Sequence, residues 1–204
     1  TVDYGNVGRQ LLHHDPNAPY ATRTDVEPLI LEFQRVLPNA DFIVIDVGDT
    51  SRAEGYSRYC LEVQGEVLRR RAMRAVDRVV GGVLDRVDPA KDRVTLVSTN
   101  PSWQSVESCD FLLPVTAAGR GIGHGLLSSA STRRPGIITN ADISASALEF
   151  FGIRPPLSFT GRPVAACEGS LSDLVNTNGC IVRQIERQPA MEGLAILLLA
   201  YVIV

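Results

Sequence analysis

The chain has 204 residues, with apolar types at 45% and charged types at 21%, a composition that excludes a disordered chain and allows one sizeable domain with a core. A formal net charge of -3 removes any electrostatic case for a nucleic-acid partner. The four cysteines include no CxxC pair, which excludes a zinc ribbon or a thioredoxin-type redox motif.

Residues 1–23 carry Gly, Asn, His and Pro without periodicity and read as irregular. Thr24 with Glu27 fits a capping box, and Leu29, Ile30, Phe33 and Leu37 form an apolar stripe, so a helix is expected until Pro38-Asn39. Asp41–Val47 is rich in β-branched residues, as in a strand covered on both faces, and Gly48–Ser51 breaks it into a loop. A long helix is expected over about Arg58 to Val87, stopped by Asp88-Pro89. Its basic cluster Arg69, Arg70, Arg71 and Arg74 reads as a solvated face.

Arg93–Ser98 and Phe111–Ala118 read as further strands, the second at an edge because of Pro114. Gly119–Gly125 is a flexible loop, and Gly136–Thr139 a short fourth strand. Asp142 is expected to cap a helix over Ile143 to Phe151, with Gly152 as its stop. A Pro-rich connection over 153–167 precedes a last helix near Ser170 or Leu171. The apolar run Leu194–Val204 reads as the start of a transmembrane segment, the alternative being a buried terminal helix; a full span needs about 20 residues. Strands alternating with helices predict an α/β fold with a mostly parallel sheet flanked by helices. Cys167 and Cys180 are compatible with a disulfide or with free thiols.

From Asp41 to Pro163 the order of short signatures resembles the C-terminal half of the alkaline phosphatase superfamily. Phe42–Val47 with its acidic loop resembles the segment ending in an Asp-x-x-x-His pair. Asp77 through Leu84 resembles a D-x-x-x-G-x-L helix, with Val83 at the leucine position. Arg93–Ser98 takes the place of the strand entering Ser-Asp-His-Gly, and Pro114 through Gly119 and Gly121 that of a Pro strand and G-x-G loop. Asp142-Ile143 through Leu148 and Gly152-Ile153 resembles D-I-x-P-T-x-L-x-x-L-G-I, and Gly161-Arg162-Pro163 its trailing G-R-P. The competing reading is a generic Rossmann-like sheet, but no G-x-G-x-x-G follows a strand and opens a helix.

The resemblance implies residues 1–168 as the C-terminal portion of such a domain in a bacterial-type membrane protein, with 169–204 as a helix leading to the membrane. It also implies hydrolysis of phosphate or sulfate esters at paired metal ions held by Asp and His. Those ligands are replaced here: Thr50 stands four residues after Asp46, and Ser98-Thr99-Asn100-Pro101 replaces Ser-Asp-His-Gly. The histidines His13, His14 and His124 do not follow an Asp at ligand spacing. No metal site, cofactor or catalytic residue is therefore expected.

Asp46, Asp49 and Arg52, at the carboxyl end of the expected strand, and Asn100, at the replaced position, form a candidate site for a small molecule or anion. Arg133-Arg134 reads as a further anion contact or as surface charge. The expected function is a non-catalytic binding or structural role in an extracytoplasmic domain. The alternatives are an ester hydrolase completed by a missing N-terminal half, and a scaffold in a transport or envelope-assembly protein.

Overall fold

The computed structural model describes residues 11–156 and 158–203, with side chains described except at Ala190 and from 194 onward. Two compact units make up the chain, Thr1–Asp88 and Pro89–Val204. Helices and strands are both present, as the α/β expectation requires, but every strand pairing among the described residues is antiparallel and two-stranded.

In the first unit, β1 (Leu12–His14) pairs with β2 (Thr22–Thr24), a hairpin in a stretch expected to be irregular. Its ladder matches Leu12 with Thr24 and His14 with Thr22. Residues 1–10, part of that same expectation, lie outside the described residues. Helix α1 (Val26–Val36) follows. Thr24 does not cap it: this residue ends β2, and its N–H and hydroxyl are both used elsewhere, on Asp49 and Arg52. Asp25 takes the N-cap position without a side-chain hydrogen bond.

The expected loop at Gly48–Ser51 is instead the start of a helix, α2 (Asp49–Ser57), which packs on α3 (Glu62–Leu84) through buried Ala53. Weak helix formers such as Thr50, Ser51 and Gly55 hide this helix from a propensity argument; tertiary packing supplies what propensity lacks. The core of the unit joins Val26 of α1 to Ala75 and Val79 of α3, with Ile30, Ile45 and Val47 packed against them. A Cβ on Gly82 would collide with Ile30, so glycine permits the close crossing of α1 and α3. Arg69 bridges Glu66 at 2.8 Å and Glu54 at 3.4 Å, while Arg70 also meets Glu66 at 2.8 Å, so the basic cluster is partly neutralised within the unit.

Asp41–Val47 forms no β-ladder. Its burial alternates instead: Phe42, Val44 and Asp46 are exposed, while Ile43, Ile45 and Val47 are half-buried. Two-residue alternation is the signature of an extended chain with one covered face.

In the second unit, β3 (Arg93–Val97) pairs with β4 (Val115–Gly119), Arg93 facing Gly119 and Val97 facing Val115. Ser98 N–H donates to the Pro114 carbonyl at 3.1 Å, which extends the pairing past the proline without needing its missing donor. A short α4 (Trp103–Glu107), capped by Ser102, lies in the connection. β5 (Leu126–Ser129) pairs with β6 (Val164–Cys167), two strands absent from the sequence expectation. The expected strand at Gly136–Thr139 is irregular, because its backbone groups are bound locally: Gly136 N–H to Leu127 and the Ile137 carbonyl to the Thr132 hydroxyl.

Helix α5 (Asn140–Phe150) starts earlier than expected, with Thr139 as N-cap and Asp142 inside the first turn. Gly152, at φ 69, ends it as expected. Helix α6 (Leu171–Ile203) begins at a reciprocal cap: Ser170 N–H donates to Asp173 at 2.8 Å and Asp173 N–H to the Ser170 hydroxyl at 3.3 Å. Among the described residues no helix is long and apolar enough to cross a membrane. The side chains of the run Leu194–Val204 lie outside the described residues.

The expected parallel sheet fails for a physical reason. Parallel pairing needs crossover helices packed on the strands they join. Here α1 and α2 pack on α3, while the strands of each unit close short antiparallel pairs.

Candidate functional site

Asp49 is the first residue of α2, and its carboxylate reaches back to β2. Its two oxygens accept from the Thr24 N–H at 3.1 and 3.2 Å. Arg52, one turn on, meets Asp49 at 3.2 Å and donates to the Thr24 hydroxyl at 3.2 Å. Side-chain exposure is 10% for Asp49 and 22% for Arg52, so the pair is largely enclosed. Both groups thus join a strand to a helix, and the carboxylate position also suits the positive end of α2. The Arg52 Nε is buried without a hydrogen-bond partner among the described residues. Asp46 lies at the end of the extended run, exposed.

Asn100 belongs to the second unit, exposed in the segment after β3, where its amide donates to the Thr99 hydroxyl at 3.4 Å. Thr50 is half-buried in the first turn of α2. His13 and His14 are exposed on β1, and His124 is exposed in the loop before β5. Among the described residues no group of three or more His, Cys, Asp or Glu side chains is placed to hold a metal ion. Cys167 and Cys180 are free thiols.

The most enclosed polar centre was not singled out from the sequence as a site. Asp142 is fully buried at the N-terminus of α5. Its carboxylate accepts from Ser129 at 2.7 Å, Ser131 at 2.6 Å, Thr139 N–H at 2.7 Å and Arg162 N–H at 2.8 Å. Burial alone would push this carboxyl up, but the four donors, led by Arg162 N–H, outweigh it and hold the carboxyl far below the usual range. Ser146, one turn along α5, donates to the Asp142 carbonyl and accepts from Val164 N–H, which fixes the start of β6. A Cβ on Gly161 would collide with the Ala141 carbonyl, so only glycine brings Arg162 this close.

All four lone-pair directions of Asp142 are occupied, and it stands as a structural knot between β5, α5 and β6. The signal available in the sequence was the pairing of Asp142 with Gly161-Arg162-Pro163, two segments quoted for the resemblance that meet in space here.

An open groove of about 450 Å³ runs beside α6, lined by Leu112, Ile137, Ile181 and Ile185 with Arg134 and Gln184 at its polar side. Arg134 is exposed there. Comparison with family models, curated proteins and solved structures finds no match to this chain.

Proposed function

We propose that this chain is a divergent, non-catalytic relative of alkaline-phosphatase-like domains, with a binding or structural role, carried by a membrane protein on its extracytoplasmic side. The observation that supports the loss of catalysis most is the replacement of the ligand positions, with Thr50 four residues after Asp46 and Thr99-Asn100 after Ser98. Asp49, the other carboxylate of that turn, is engaged within the protein, its two oxygens sharing the Thr24 N–H and one meeting Arg52. The Arg52 guanidinium beside Asp49 offsets its negative charge and so weakens any attraction for a cation. Thr50, Thr99 and Asn100 offer neutral oxygens or amides where carboxylate and imidazole would be required.

The likeness itself is supported by the Asp142–Arg162 bond, which joins two of the quoted signatures. The order of signatures, the long α3 with its Asp77 and Gly81, and the stop at Gly152 accord with it.

The purified chain, supplied with zinc or manganese, should leave p-nitrophenyl phosphate and p-nitrophenyl sulfate at their uncatalysed rates. Turnover that disappears in Asp46→Ala would overturn the reading and restore a hydrolase.

A further inference from the structure

We propose that the groove beside α6 binds a single-chain fatty acid, with its carboxylate on Arg134 and its hydrocarbon chain along Leu112, Ile137, Ile181 and Ile185. The inference stands on the second unit alone and does not depend on the family resemblance.

One wall is a closed turn over residues 132–137. The Thr132 hydroxyl donates to the Ile137 carbonyl at 2.6 Å, and the Ile137 N–H donates to the Arg134 carbonyl at 3.2 Å. These bonds bring an apolar side chain and a cation to the same rim. Gly136, at φ 80, ties the turn to β5, its N–H donating to the Leu127 carbonyl at 2.9 Å. A Cβ at this position would sit 2.8 Å from Leu174 Cδ1, so glycine lets the turn come close against α6.

Helix α6 supplies the other wall. The Asn178 amide donates to the Asp110 carboxylate at 3.0 Å, which holds the helix against the segment that carries Leu112. Ile181 and Ile185 follow Asn178 three and seven residues along, the spacing of one helix face. Both side chains are half-buried and line the groove.

Chemistry selects the ligand. Four aliphatic side chains offer no hydrogen bond, so the part they cover must be apolar. Arg134 and Gln184 at the polar side offer a permanent positive charge and an amide donor. An apolar chain ending in an anion satisfies both ends of the groove. The guanidinium fork matches a carboxylate through two parallel N–H···O bonds.

A second negative charge is disfavoured. Glu168 and Asp173 are exposed and line the adjoining hollow together with Arg134, where they repel further anionic charge. A singly charged carboxylate therefore fits better than a dianionic head. The volume of about 450 Å³ lies within the roughly 300–1,000 Å³ of small-molecule sites.

The test uses the intact chain, with octanoate and decanoate as probes below their micellar concentrations. NMR follows the methyl signals of Leu112, Ile137, Ile181 and Ile185, which should shift saturably. Decanoate, two methylenes longer, should bind several-fold more tightly than octanoate. Arg134→Gln, at an exposed position, should weaken octanoate about tenfold and leave binding of uncharged octan-1-ol unchanged. Arg134→Lys, which keeps the charge without the fork, should fall between wild type and Arg134→Gln.

Methyl signals that stay in place, or octanoate affinity unchanged in Arg134→Gln, would overturn the proposal. Shifts confined to residues after Gly193 would overturn it as well, by placing the probe on the terminal apolar run. Self-association that moves the same methyl signals without any probe would assign the groove to a second copy and overturn the fatty acid.

Discussion

Replacing Asp142 by asparagine keeps the shape of the side chain but removes the charge that four donors converge on. One amide nitrogen would then face an N–H or hydroxyl that expects an acceptor. Hydrogen bonds to a buried charge and donors left unsatisfied each count for about 1.5–3 kcal/mol. Asp142→Asn should therefore destabilise the second unit by about 3 kcal/mol in urea denaturation. The pH dependence follows from the sign of the shift. The folded carboxyl titrates well below its unfolded value of about 3.9, so its contribution is complete above that pH and lost as pH falls toward the folded value. The wild-type chain should lose stability between about pH 4 and pH 2 more steeply than Asp142→Asn. Equal slopes would show that the carboxylate is not the group responsible.

Asp142 also shows what was legible at single positions. Its place at the start of a helix followed from Gly152 and the apolar pattern of 143–151, and it was misplaced only from first turn to cap. Its bond to Arg162 was not legible, because a contact across twenty residues leaves no local pattern. Thr24 failed differently: Thr24 and Glu27 met the rule for a capping box, but the same hydroxyl had a better partner in Arg52.

Among the elements, α1, α3, α5 and α6 were expected where they lie, β3 followed from Arg93–Ser98, and β4 (Val115–Gly119) keeps only the second half of the expected strand, Phe111–Pro114 being irregular. The helix α2 did not, because Asp49–Ser57 is poor in helix formers and is held by Ala53 against α3. β5 and β6 were missed because Leu126–Ser129 and Val164–Cys167 are short and half small or polar, with neither alternation nor branching to mark them. The parallel sheet was inferred from alternation of helix and strand along the chain, which constrains order but not which elements pack together.

Helix α6 carries its own test. The apolar run Leu194–Val204 follows a stretch with exposed Arg187 and Glu192, an arrangement suited to a membrane surface. We expect the chain to sediment with phosphatidylcholine vesicles and truncation after Gly193 to release it. A chain that stays in the supernatant would remove the membrane from the account.

Taken as a chain of two units, the protein keeps few of its described residues fully inside. The described apolar core is limited to small and medium side chains, such as Ala53, Ala72, Ala75, Val79 and Ala145, with Phe33 the largest. Large apolar groups such as Leu31, Leu61, Val63 and Leu171 remain exposed. Burial contributes roughly 25 cal/mol per Å² of apolar surface, so these side chains represent stabilisation still to be gained on association.

The decisive quantity is the metal content of the purified chain after equilibration with zinc and manganese and removal of excess ions, read by inductively coupled plasma mass spectrometry. With Thr50, Thr99 and Asn100 at the ligand positions, far less than one ion per chain should remain. Retention of about two ions per chain, lost in Asp46→Ala, would show a working bimetallic centre and contradict the account.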